Sequence, residues 1–141
     1  MEVRALEYED IDNLRPLLKK SIEAEEKYNG LNINGEVELQ INILKNEYIN
    51  TSDNFLGVFE GKEIKAYCLF MIVENILQIY CFSYNSLKAS IALHNFIEQK
   101  AKENKCSEIR ARTGCLDDKF LNLLRRLNYI PQNVELRKEI K

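Results

Sequence analysis

The 141-residue chain has no tryptophan, a single histidine (His94), two prolines and five glycines. One imidazole cannot build a paired-histidine zinc site. Cys68, Cys81, Cys106 and Cys115 show no Cys-x-x-Cys spacing, so no metal is expected. The four cysteines read as reduced thiols packed as small apolar groups. No glycine lies between Gly61 and Gly114. That excludes from this stretch a Walker loop or a dinucleotide fingerprint, which need glycine to bring backbone against phosphate. No apolar run approaches the roughly 18 residues of a membrane span. The opening MEVRALEYEDID is acidic and lacks the apolar centre of a signal peptide. These absences lead to an expectation of no membrane partner and a cytoplasmic location.

What is present suits one domain over residues 1–141 with a single core: 45% hydrophobic and 30% charged residues. The net charge of −2 hides an asymmetry. Residues 1–85 carry 8 Lys/Arg against 15 Asp/Glu, and residues 86–141 carry 12 against 7. An acidic half suits a cationic partner and a basic half a phosphate-bearing one; two solvated helical surfaces explain the same numbers. Basic and aromatic residues are not interleaved as in a single-strand binder, so no nucleic-acid partner is expected.

Periodicity divides the chain. Met1–Leu6 reads as a strand, and Glu9 and Asp10 open a helix with Ile11, Leu14, Leu17, Leu18 and Ile22 on one face. Pro16 inside that pattern predicts a kink. After a loop from Gly30 to Gly35, Val37, Ile41, Leu44 and Tyr48 mark a second helix. Strands are expected over Asn54–Glu60, Glu63–Val73 and Ile76–Phe82, with turns at Gly61 and at Glu74-Asn75. A helix follows over Ser86–Asn104, then a strand over Glu108–Thr113, a helix carrying Leu116, Phe120, Leu123, Leu124 and Leu127, and a closing strand over Val134–Ile140. The strand from Glu63 is apolar on both sides, with Cys68, Phe70 and Ile72 on one and Tyr67, Leu69 and Met71 on the other. A strand of that kind is central and covered on both faces. With a two-residue turn at Glu74-Asn75, Cys68 falls opposite Cys81, either as two buried thiols or as a redox-sensitive pair.

The order of elements, with the segments VRALEYEDIDNLRPLL, IEQKAKENKCSEIRART and FLNLLRRLNYIPQNVELRKEI, resembles the GNAT N-acetyltransferase superfamily over nearly the whole chain. The resemblance implies an α/β (α+β) fold: a mixed central sheet with helices on both faces. It implies acetyl-CoA as cofactor and acetyl transfer to an amine, on a small molecule or a protein. The family's [Gln/Arg]-x-x-Gly-x-[Gly/Ala] loop, which wraps the pyrophosphate at a helix N-terminus, falls on Asn85, Ser86, Leu87, Lys88, Ala89 and Ser90. Lys88 stands where the central glycine belongs, while Ser86 offers an N-cap and Lys88 a positive charge. Tyr80, Cys81 and Phe82, at the end of the preceding strand, are the expected seat of the pantetheine arm. The family's thiolate-protonating tyrosine aligns with Leu124, which leaves Tyr84 as the substitute acid. Glu74 and His94 are the candidate bases. The alternative is a catalytically inactive module of the same shape, binding or structural, such as tailed phages encode.

Overall fold

The computed structural model describes residues 1–29, 32–111 and 118–130. Five strands form one sheet whose spatial order follows the chain: β1 (Glu2–Ala5), β2 (Phe55–Glu60), β3 (Glu63–Val73), β4 (Ile76–Tyr84) and β5 (Glu108–Ala111). The first four run antiparallel to their neighbours, and β5 lies parallel to β4. A parallel neighbour requires a crossover, and the helix α3 (Leu87–Glu103) supplies it.

Two apolar clusters cover the two faces of β3, as its two-sided pattern predicts. Tyr67 and Leu69 join Leu14, Leu17, Leu18 and Ile22 and, from α2 (Ile33–Thr51), Val37, Ile41 and Leu44. Cys68 and Phe70 join Leu77 and Ile79 of β4 and the inner stripe of α3, which is Ala89, Leu93, Ile97 and Ala101. Leu93 and Ile97 are fully buried, and each contributes about 1.5–3 kcal/mol by leaving water. The sheet is mixed, and helices lie on both faces.

The structure corrects several expectations. The segment Tyr8–Leu14 is a 3₁₀ helix, and α1 (Arg15–Asn29) begins at the residue before Pro16. Proline therefore occupies the first turn, where its missing N–H leaves no bond unmade, and it starts a helix instead of kinking one. The second helix begins inside the expected loop. Asn32 accepts the Gly35 N–H on its side chain (3.3 Å) and the Glu36 N–H on its carbonyl (2.9 Å), so Gly35 belongs to the first turn of α2.

The cysteine pairing fails for a definite reason. From the turn to Phe70↔Ile79 the β3–β4 register matches a two-residue turn, but between Leu69 and Phe70 it shifts by one. Tyr80 is the extra residue of a β-bulge. Beyond it Cys68 faces Phe82, and Cys81 faces Leu69. The two thiols consequently point to opposite faces, Cys68 into the α3 side and Cys81 against the α1–α2 side. The strand β5 is described to Ala111 and the final helix α4 spans Asp118–Arg126; the expected closing strand over 134–140 lies outside the described residues.

Candidate functional site

The bulge at Tyr80 also reorganises the end of β4. Before it, Leu77 and Ile79 face α3; after it, Phe82 and Tyr84 do, and Cys81 and Ser83 face α1. Tyr80 itself is 55% exposed. Ladder pairing with β5 is described as far as Ile79↔Ala111. The residues that follow Ala111 on the β5 side, 112–117, lie outside the described residues.

Between the sheet, α3 and the final helix lies a slot of about 10 Å³ lined by Ile79, Phe82, His94, Ala111, Leu123, Leu124 and Leu127. It holds little more than one water-sized sphere, and its walls are apolar.

The chain leaves β4 directly into α3. The Asn85 N–H donates to the Lys65 carbonyl (3.0 Å), which ties the junction to β3. Ser86 is the N-cap: its hydroxyl oxygen accepts the Ala89 N–H (3.2 Å), and its carbonyl accepts the Ser90 N–H (3.0 Å). The first amides of a helix have no intrahelical acceptor, and here the N–H groups of Leu87 and Lys88 remain without one among the described residues. Ala89 and Ser90 are buried, and the Ser90 hydroxyl donates to the Leu87 carbonyl (2.7 Å). Leu87 and Lys88 are exposed, and Lys88 makes no ion pair among the described residues.

The sequence-predicted residues do not all meet. Tyr80, Cys81, Phe82 and Tyr84 share the end of β4 with Asn85, Ser86, Leu87, Lys88, Ala89 and Ser90. Tyr84 packs its ring near Phe82 (centroids 6.3 Å apart) on the α3 side, and its carbonyl accepts from Lys20 Nζ (3.1 Å). Glu74 sits in the β3–β4 turn with φ 57°, at the opposite end of β4. A strand rising about 3.3 Å per residue separates it from Tyr80 by roughly 20 Å and from Tyr84 by roughly 30 Å. Burial, and secondly the Glu47 carboxylate, push the Cys81 thiol above its ordinary range. Burial does the same to Cys68. Both are therefore thiols rather than thiolates at neutral pH.

One buried polar pair escapes a reading of the sequence. His94, only 2% exposed, directs Nε2 to the Tyr129 hydroxyl (2.7 Å). Its Nδ1 is buried without a hydrogen bond, 3.6 Å from the Glu98 carboxylate. Burial lowers the imidazole pKa, against an opposing pull from Glu98, and burial raises that of Tyr129. The helical spacing of Ser90, His94, Ile97 and Ala101 carried the signal for His94; nothing short of the fold brings Tyr129 to it.

Solved structures share this architecture. The PaiA N-acetyltransferase from Thermoplasma acidophilum, determined in complex with coenzyme A, matches with a TM-score of 0.76 at 18% identity, over 95% of this chain and 92% of its own. Ard1 from Thermoplasma volcanium matches with a TM-score of 0.74 at 10% identity, over 94% and 84%. The ribosomal-protein-alanine N-acetyltransferase of Brucella melitensis biovar Abortus 2308 matches at 0.63 and 10% identity, over 99% of both chains. No family model matches the chain, and no curated protein matches it in sequence.

Proposed function

The chain has the GNAT N-acetyltransferase fold, and on that premise we propose that it binds acetyl-CoA across the β4–α3 junction and transfers the acetyl group to an amine. One observation carries the reading: among the described residues the amides of Leu87 and Lys88 at the start of α3 have no acceptor, and the Lys88 side chain beside them makes no ion pair. Amides at the start of a 17-residue helix and a nearby ammonium group suit a diphosphate without a glycine. The Leu87 and Lys88 amides and the Lys88 side chain hold the anion, and the end of β4 from Tyr80 to Phe82 seats the amide-bearing arm. When bound, the cofactor supplies a thioester carbonyl open to attack by an amine.

The raised thiol pKa of Cys81 disfavours an acyl-cysteine step, so the amine attacks directly. As the C–N bond forms the thioester C–S bond breaks, and Tyr84, the phenol at the end of β4, gives its proton to the departing thiolate. Glu74 is too distant to serve as base, and the amine reaches the site already neutral or loses its proton to water.

A binding-only reading is favoured by one observation, the apolar Leu124 lining the slot in place of a phenol. A single pair of measurements separates the two. Acetyl-CoA at millimolar concentration raises the melting temperature under both. Mass spectrometry of a polyamine and peptide panel finds acetylated product with turnover only under the first. No thermal shift contradicts both readings.

A further inference from the structure

We propose that the hydrogen bond between Tyr129 and His94 is a latch that holds the slot between β4, β5 and α4 at its closed width, and that its release admits the amide-bearing arm of an acyl-CoA. The inference rests on the cofactor reading above and assigns a control to the same site.

The slot has three walls, one of which is His94 of α3. Ile79, Phe82 and Ala111 belong to the sheet, and Leu123, Leu124 and Leu127 belong to α4 and its last turn. At about 10 Å³ the space is too small for a chain of methylenes and amides, so binding requires the α4 wall to move.

Tyr129 is fixed to that wall. Asn128 takes the left-handed conformation (φ 67°), its N–H donates to the Arg125 carbonyl (3.0 Å), and the Tyr129 N–H donates to the Leu124 carbonyl (3.0 Å). This is a Schellman closure, in which the residue after the left-handed one is bonded back to the helix. Whatever restrains Tyr129 therefore restrains Leu124. On the other side, His94 is anchored in α3 between the buried Leu93 and Ile97. The 2.7 Å contact joins the movable wall to the fixed one.

His94 does not serve the slot as an acid or a base. Its Nε2 is engaged by Tyr129, its Nδ1 is turned towards Glu98, and the slot surface is apolar. It is a positioning residue that acts through Tyr129. The unpartnered buried Nδ1 is a standing cost to the fold, which a leucine at this position would avoid.

Tyr129→Phe tests the latch by isothermal titration with coenzyme A. A purely structural bond predicts lower stability and equal or weaker binding. A latch predicts opposite signs: a lower melting temperature and coenzyme A affinity about two- to tenfold tighter, the range of one net hydrogen bond. In turnover, KM for acetyl-CoA falls while kcat holds. His94→Leu breaks the same bond from the other side and removes the buried nitrogen, so it provides the reading where Tyr129→Phe does not fold. Unchanged or weaker binding in the variants, with wild-type binding intact, overturns the latch alone. Absence of binding in the wild type overturns the cofactor reading and the latch together.

Discussion

Ser86 allows the helix cap and the anion site to be separated by two substitutions at one position. Its hydroxyl oxygen accepts the Ala89 N–H at 3.2 Å. Ser86→Ala removes that acceptor and costs about 1 kcal/mol. For a chain of this length the melting temperature falls by about 3 °C. Ser86→Asp restores a capping oxygen and places a carboxylate at the positive end of α3, so stability stays at or slightly above wild type. The same carboxylate stands next to the amides of Leu87 and Lys88. One negative charge about 6 Å from a doubly charged diphosphate is unfavourable by about 1.4 kcal/mol even at the dielectric constant of water, which is a tenfold loss of affinity. The assay pairs thermal melts with coenzyme A titrations of wild type, Ser86→Ala and Ser86→Asp at low and high salt. The predicted pattern is a melting loss confined to alanine and an affinity loss greatest for aspartate, shrinking in salt. Ser86→Asp binding coenzyme A as well as wild type refutes the reasoning.

Two other predictions concern the scaffold. A Cβ added at Gly57 meets Leu6 Cδ2 at 2.6 Å and Phe59 Cε2 at 3.0 Å, so Gly57→Ala overpacks the β1–β2 contact; a urea titration is expected to show a loss of about 1–3 kcal/mol. The pKa of His94 lies below its ordinary 6.5 in the folded chain, mainly through burial. As pH falls below about 6.5 the unfolded chain takes up a proton that the folded imidazole refuses, so stability present above that pH is lost progressively below it. Melting curves are expected to decline from pH 6.5 to pH 5 more steeply for wild type than for His94→Leu, and equal slopes contradict the assignment.

Much of the fold was legible because burial writes periodicity into the chain. The two-sided pattern from Tyr67 to Ile72 marked the central strand, and the spacing of Ala89, Leu93, Ile97 and Ala101 marked the crossover helix. The bulge was not legible. In a strand apolar on both faces, inserting Tyr80 changes no pattern, yet it turns Cys81 away from Cys68 and swings Phe82 and Tyr84 to the α3 side. Pro16 misled because its effect depends on where the helix starts, and the preceding turn is 3₁₀ rather than α. For the site, the Ser86 cap was legible from residue type alone. Glu74 was misplaced because a chemical type was selected without its position along β4. The Tyr129–His94 contact spans 35 residues and joins α3 to the segment just after α4, a pairing that local pattern cannot contain.

The measurement closest to the central claim is a crystal structure of this chain grown with coenzyme A. The account predicts diphosphate oxygens within hydrogen-bonding distance of the Leu87 and Lys88 amides, with the arm running along β4 past Tyr80. Coenzyme A seated elsewhere, or a Leu87–Lys88 turn closed by the protein's own side chains, contradicts it.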